Sequence, residues 1–212
     1  MKVAILGTGA VGRALGRGFA GLGYEVLVGT RDPEAAHAQE AAAAIGDAEV
    51  MTFAAAAGAG SCAVVATSWA GTQAALEQAG PVNLAGKLVI DATNPLDFSS
   101  GTPRLAIGFS TSAGEQVQAW LPEARVVKAF NTAVAALMVQ PKIEDGPPTM
   151  FICGNDGAAK NEVTEILTRF GWDAVDLGRI EQSRLLEPLA MIMITYAFQH
   201  DHWTHAVRLL GR

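Results

Sequence analysis

Gly7-Thr8-Gly9-Ala10-Val11-Gly12 follows the apolar run Val3 to Leu6 with no spacer. Glycines at this spacing, set where a strand gives way to a helix, suit a backbone that wraps a pyrophosphate. Gly7 permits the tight turn, Gly9 lets the backbone approach without a Cβ in the way, and Gly12 lets the helix lie close on the strand. The phosphates then rest on unpaired amides at the helix N-terminus. A second candidate set stands at the tip of the next apolar run, Tyr24 to Gly29. A site for NAD usually has a carboxylate there, to hold the ribose hydroxyls. This chain has Thr30 and Arg31 instead, a hydroxyl and a guanidinium able to take a 2′-phosphate, so NADP(H) is expected. Arg31 also reads as a solvated residue ahead of a helix marked by Asp32 as N-cap, Pro33 and Glu34, and both roles are compatible.

The elements that would position these residues alternate strand and helix. A helix over about Ala10 to Leu22 is followed by an alanine-rich one over about Pro33 to Ile45 and a short strand, Glu49 to Phe53. Further strands are predicted at Cys62 to Thr67, Lys87 to Ala92, Arg125 to Phe130, Thr149 to Cys153 and Ala174 to Leu177, with helices at Trp69 to Ala79 and about Gly157 to Phe170. The pattern predicts an α/β fold: a Rossmann-type, doubly wound, mostly parallel sheet with a C-terminal helical segment. Residues 1–178 form the expected NADP-binding domain, and 179–212 a helical segment packed on it or on a dimer partner. Ligands of such sheets bind beyond the strands' carboxyl ends. The cofactor-binding candidates are therefore Gly7 to Gly12, Thr30, Arg31, Thr67, Ser68, Trp69, Asn94, Pro95 and Asn131. Trp69 either flanks the cofactor or packs on the core. Asn94 or Asn131 could bond a carboxamide or a ribose. The stretch Phe98 to Ser112, rich in Ser, Thr and Gly, reads as the longest loop and a candidate substrate lid.

Composition narrows the partners. The 212 residues are 50% hydrophobic and 17% charged, with a net charge of -6, which offers no basic stripe to neutralise nucleic-acid phosphates. Two cysteines, Cys62 and Cys153, stand far apart, so neither a disulfide framework nor a zinc site is expected, and the reducing cytoplasm is the expected setting. The first apolar run is too short for a secretory signal core. Leu189 to Phe198 is ten residues long, where a membrane span needs about 20.

Six motifs in this order resemble the NADP-dependent oxidoreductases related to the enzyme that passes hydride between NADP(H) and the deazaflavin coenzyme F420. They are GTGAVG at Gly7 to Gly12, VGTR at Val28 to Arg31, DATNPL at Asp91 to Leu96, VKAFNT at Val127 to Thr132, FICGND at Phe151 to Asp156 and SRLLEPLAM at Ser183 to Met191. The cytosolic domains of six-transmembrane metalloreductases look similar. The resemblance implies pyrophosphate contacts for Thr8 to Val11 and 2′-phosphate contacts for Thr30 and Arg31. It departs at Asp32-Pro33-Glu34-Ala35, where the deazaflavin enzymes carry a lysine, and in the length of the Phe98 to Ser112 loop. It therefore implies NADP more strongly than coenzyme F420.

The chemistry expected is hydride transfer without an obligatory acid. Tyr24 and Tyr196 are the only tyrosines, and neither has a lysine four residues on, which excludes the usual short-chain proton donor. A flavin- or deazaflavin-like acceptor stacked on the nicotinamide needs orientation and exclusion of water. No catalytic side chain is identified. Lys128 reads either as a proton donor or as a structural ion partner. A non-catalytic NADP(H)-binding sensor or partner module would share the fold and cofactor, and an imine or hydroxy-acid dehydrogenase would need a titratable group near the hydride site. An open second-substrate cavity would favour the enzyme. His200, Asp201, His202 and His205 read as a partly exposed cluster, with His202 and His205 able to share a helix face and no metal expected. Arg184 and Glu187, three apart, are expected to pair along a helix running through Pro188. That helix is apolar nearly all round, which predicts a two-fold homodimer covering it.

Overall fold

The computed structural model describes residues 1–46, 48–144 and 146–211; Arg212, the last residue of the expected C-terminal segment, lies outside them. The first half alternates β1 (Lys2–Leu6), α1 (Ala10–Gly21), β2 (Glu25–Thr30), α2 (Ala36–Ile45), β3 (Glu49–Thr52), α3 (Phe53–Ala59), β4 (Cys62–Val65), α4 (Trp69–Ala79), a single turn α5 (Pro81–Leu84) and β5 (Leu88–Asp91). A two-stranded antiparallel hairpin, β6 (Leu96–Asp97) and β7 (Arg104–Leu105), comes next. Then follow α6 (Ala113–Trp120), β8 (Arg125–Lys128), β9 (Thr149–Gly154), α7 (Gly157–Arg169), β10 (Asp173–Asp176) and α8 (Ser183–His200).

Eight strands form one sheet in the order β10-β9-β8-β5-β4-β1-β2-β3. Six of them, from β3 through β1 to β8, run parallel, and the order reverses between β1 and β4, where a doubly wound sheet opens its ligand crevice. The mostly parallel expectation holds with one reversal, since β9 pairs antiparallel with β8 and β10 pairs parallel with β9.

Alternation along β1 explains the two layers of core. Val3 and Ile5 face one side with Leu15, Phe19 and Phe170, while Ala4 and Leu6 face the other with Phe53, Leu76 and Val117. Parallel strands covered on both faces need near-continuous apolar runs, and β1, β4 and β5 supply them.

Four expectations change. The second helix begins at Ala36 and not at Pro33, because Asp32 Oδ1 accepts from the Glu34 amide at 3.0 Å and closes a turn before the helix starts. Phe53 opens α3 and does not end a strand, since the Thr52 hydroxyl accepts from the Ala55 amide at 3.2 Å and caps a helix there. The Phe98 to Ser112 loop contains a strand of the hairpin and ends in a side-chain N-cap. There, Ser112 Oγ accepts from the Glu115 amide at 3.2 Å and donates to Glu115 Oε2 at 2.7 Å to start α6. Lastly, α8 stops at His200, with Asp201 in the left-handed region, so His202 and His205 share no helix face. Among the described residues no group of these side chains could hold a metal ion.

The helix α8 packs on α6, β7 and β9. Leu186, Ala190 and Ala197 are buried on its inner side, while Leu185, Ile192 and Tyr196, on a stripe beside it, are 60%, 65% and 45% exposed. No helix of the described residues is long and apolar enough to cross a membrane.

Candidate functional site

The glycine turn closes on itself at Gly7 and at Gly12. Gly7 has φ +128 and its amide donates to the Gly29 carbonyl at 3.1 Å; a Cβ on it would lie 2.5 Å from the Ala66 carbonyl oxygen. At Gly12 a Cβ would stand 2.3 Å from the Gly7 carbonyl oxygen, which is how closely α1 sits on the strand. Gly9 is different: a Cβ there meets nothing within 4 Å. It lines a cleft, so its side-chain space is open to whatever enters. As N-cap of α1, Gly9 offers no capping side chain, and no acidic residue follows in the first turn, which leaves the helix's positive end open to an anion. Thr8 lines the cleft, Ala10 is exposed at the head of α1, and Val11 turns to the next cavity.

That cleft has a volume of about 510 Å³ and runs from the glycine turn to the tip of β2. Thr30 is buried at its wall, Arg31 is exposed at its mouth, and His37, in the first turn of α2, stands with them. Among the described residues no carboxylate lines it. His37 escaped the sequence reading because a helix starting at Pro33 would have put it a turn further along.

Ala66, Thr67, Ser68 and Ala70 line this cleft and also a second cavity of about 600 Å³, so the two form one trough along the carboxyl edge of the sheet. The second part is walled by Val11, Trp69, Thr93, Asn94, Leu96 and Phe98. Trp69 lines the trough and stacks on Trp120 with ring centroids 5.5 Å apart. The Thr67 hydroxyl is hydrogen-bonded to that of Thr72 at 2.9 Å, which fixes it at the start of α4. Pro95 lies buried behind the wall, its carbonyl accepting from the Ala106 amide at 2.7 Å and holding the hairpin in place. Among the described residues Asp97 is the one titratable residue around this second cavity. The Ser99 amide, Arg104 and the Ser99 hydroxyl hold its carboxyl down at about 2, so it is a fixed carboxylate with no proton to give.

Behind the wall lies a buried ionic cluster absent from the sequence reading. Lys128 is fully buried, and its Nζ lies 2.9 Å from Asp91 Oδ2 and 3.0 Å from Glu187 Oε1 while donating to the Thr93 carbonyl at 2.8 Å. Asp91 Oδ1 accepts from the Thr93 amide at 2.9 Å and hydroxyl at 2.7 Å. Glu187 accepts from the amides of Ala113 and Gly114, at 3.0 and 3.1 Å, at the head of α6. The second negative charge thus faces a helix N-terminus. Burial disfavours the Lys128 ammonium, but the two carboxylates outweigh it and the pKa is raised. Lys128 is therefore a structural ion partner and no proton donor. The expected Arg184–Glu187 pair is absent: Arg184 turns to Glu115, Nε to Oε2 at 2.8 Å, because Glu187 faces inward to Lys128. One signal did exist, a lone lysine inside an apolar strand and a lone glutamate inside an apolar helix, each needing a buried partner.

The cluster fixes Thr93, and a pair of asparagines fixes its neighbour. Asn94 Nδ2 donates to the Asn131 carbonyl at 2.7 Å, and Asn131 Nδ2 donates to Asn94 Oδ1 at 3.1 Å and to the Leu186 carbonyl on α8 at 3.0 Å. Phe130, buried with φ +66, turns the chain so that Asn131 reaches this gap. Asn131 Oδ1 is buried and accepts from nothing among the described residues. Asn94 faces the trough, whereas Asn131 stands behind it as a strut to α8.

The family model for coenzyme F420-dependent NADP oxidoreductases matches residues 2–95, the stretch from β1 to the Asn94-Pro95 tip. The F420-dependent NADP reductase of Methanothermobacter marburgensis is 30% identical over 207 residues, covering 92% of this chain and 91% of that one. The chain belongs to this family. A crystal structure from Arthrobacter sp. FB24, of a protein proposed to be an F420-dependent NADP reductase, superposes with a TM-score of 0.93 at 39% identity, over all of both chains. The metalloreductase STEAP3 of Rattus norvegicus is 28% identical over 201 residues, which is 91% of this chain but 37% of STEAP3, so the chain spans about a third of that relative. The family places the chain among the NADP-dependent oxidoreductases.

Proposed function

We propose that the chain transfers hydride between NADP(H) and a flavin- or deazaflavin-like acceptor stacked directly on the nicotinamide. The carrying observation is the second cavity, which is walled mainly by apolar groups and has Asp97, locked as a carboxylate, as its one titratable residue. An acceptor that needs a proton from an acidic side chain finds none on that lining among the described residues, whereas a ring that takes hydride directly needs orientation and a dry surface.

In this assignment the pyrophosphate lies on the Gly7 to Gly12 turn, with Thr8 to Val11 beside it, and the 2′-phosphate at Thr30 and Arg31. The nicotinamide passes Thr67 and Ser68 to reach Trp69 and Asn94, with Pro95 and Asn131 supporting from behind. When bound, NADP(H) supplies the hydride. The chain's own residues hold the cofactor's phosphates, orient its ring against the wall at Thr93-Asn94 and close the trough with Phe98. Residues 1–178 act as the binding domain, and 179–212 buttress it through Glu187 and the Leu186 carbonyl. The exposed stripe of α8, carrying Leu185, Ile192 and Tyr196, is the proposed homodimer surface.

The open second cavity favours an enzyme over a sensor module. Anaerobic mixing with NADPH and a panel of deazaflavin, flavin and ferric acceptors, followed at the reduced-nicotinamide absorbance, tests it. Oxidation of NADPH by a ring acceptor is expected, and no turnover with any acceptor despite NADPH binding would overturn the assignment.

A further inference from the structure

We propose that His37 is the second cation of the subsite that takes the 2′-phosphate, and that it makes the preference for NADPH over NADH depend on pH. The proposal rests on the placement of the 2′-phosphate at Thr30 and Arg31 given above. Among the residues lining that cleft, Arg31 and His37 alone can carry positive charge, and no carboxylate accompanies them. Every other polar group on the lining is neutral: Thr8, Thr30, Thr67, Ser68 and Gln78.

Both side chains are unspent. Among the described residues neither the Arg31 guanidinium nor the His37 imidazole is engaged in a hydrogen bond or ion pair, although both open onto the same cleft. The charged residues around this corner are occupied or stand off the lining. Asp32 is bonded to the Glu34 amide, Arg17 on α1 to the Ala44 carbonyl, Glu25 on β2 to Lys2, and Glu77 on α4 to Gln73. Arg13 on α1, Glu34 in the turn, Glu40 on α2 and Glu49 on β3 are not among the residues that line the cleft.

A phosphate monoester carries roughly -1.5 to -2 charge at pH 7 and three acceptor oxygens. A guanidinium fork takes two of them. The remaining oxygen and charge suit a second donor, and an imidazolium provides one. Histidine is the side chain that ordinarily changes charge between about pH 5 and 8, so its contribution is present at low pH and lost as pH rises. Arg31 keeps its charge throughout. The consequence is a cofactor preference that slackens with rising pH while NADH, lacking the phosphate, is indifferent.

The test is fluorescence titration of the full chain with NADPH and with NADH from about pH 6 to about pH 8.5 at constant ionic strength. For the unmodified chain, the NADPH Kd is expected to rise about tenfold across that range, the size of one charge-assisted contact, and the NADH Kd to stay flat. His37→Gln is expected to bind NADPH weakly already at low pH and to lose the rise in Kd with pH, keeping only the small opposite slope that comes from the phosphate's own second ionisation near pH 6, and His37→Lys to bind tightly with that same small opposite slope. An NADPH affinity and pH slope unchanged in His37→Gln would overturn the proposal. Arg31→Ala separates this from the underlying placement. A selective loss of NADPH in Arg31→Ala leaves that placement standing, whereas equal losses of NADPH and NADH overturn the placement and the proposal with it.

Discussion

Replacing Lys128 by methionine would keep most of the buried stem and remove the one cation between Asp91 and Glu187. Removing one partner of a buried ion pair costs about 3–5 kcal/mol, because a charge is left in a medium that cannot solvate it. Two features moderate the loss. Asp91 keeps its two bonds from Thr93, and Glu187 keeps two amides at the head of α6. The expected cost is therefore at the lower end, about 3–4 kcal/mol, or a fall in Tm of roughly 6–16 °C for a chain of this length. Urea unfolding measures it, and its pH dependence identifies the cause. Without the ammonium, burial favours the neutral acid form of a carboxyl, so the variant takes up a proton on folding and its stability rises as pH falls from 8 toward about 5. In the parent chain the raised Lys128 pKa works the other way. Its stabilisation is complete below the ordinary lysine value of about 10.4 and is lost as pH rises through the higher folded value, which puts the effect in strong alkali. A Lys128→Met variant within about 1 kcal/mol of the parent at pH 8, and flat down to pH 5, would refute the ionic account of this cluster.

Gly9→Val should retain the fold, since a Cβ at Gly9 meets no protein atom within 4 Å, yet abolish NADPH and NADH binding alike; undiminished binding in equilibrium titration would show that the turn holds no pyrophosphate. Ile192→Glu, at a position 65% exposed, should convert a sedimenting dimer to a monomer with an unchanged circular dichroism spectrum, and a parent chain that is monomeric at micromolar concentration would dismiss the dimer.

What the sequence made legible was local in origin. The Gly7 to Gly12 turn, the strand tips at Thr30-Arg31 and Asn94, and the parallel core all follow from spacing and apolar periodicity within a dozen residues. The helices α3 and α6 were missed although each carries a local signal, the Thr52 cap and the Ser112 cap with Glu115 three residues on, because alanine, glycine and serine around them also read as loop. The ionic cluster was hidden for a different reason. Asp91, Lys128 and Glu187 are brought together by β5, β8 and α8, separated by 37 residues between the first two and far more to the third, and no periodicity spans such a distance. Glu187 had a nearer partner in Arg184, and tertiary burial overrode that local pairing.

The two sides of α8 make the most connected step. Its inner side supplies Glu187 to Lys128 and the Leu186 carbonyl to Asn131, and through these it sets the position of Thr93 and Asn94 at the trough wall. On its outer side Leu185 and Ile192 are exposed, beside Tyr196, whose ring packs on those of His200 and His205. A helix that is both a strut for the site and an uncovered surface transmits whatever covers it, because a packed helix shifts as a body and its inner contacts move with it. Covering Leu185 and Ile192 would therefore steady the end of the trough proposed for the nicotinamide and leave the end proposed for the phosphates, built on β1, β2 and α2, untouched. If the proposed dimer forms, its dissociation by Ile192→Glu is accordingly expected to lower kcat while the Kd for NADPH stays within about twofold, since the contacts proposed for Gly9, Thr30 and Arg31 lie on other elements. A Kd that weakens in step with kcat would show instead that the helix supports the whole cleft.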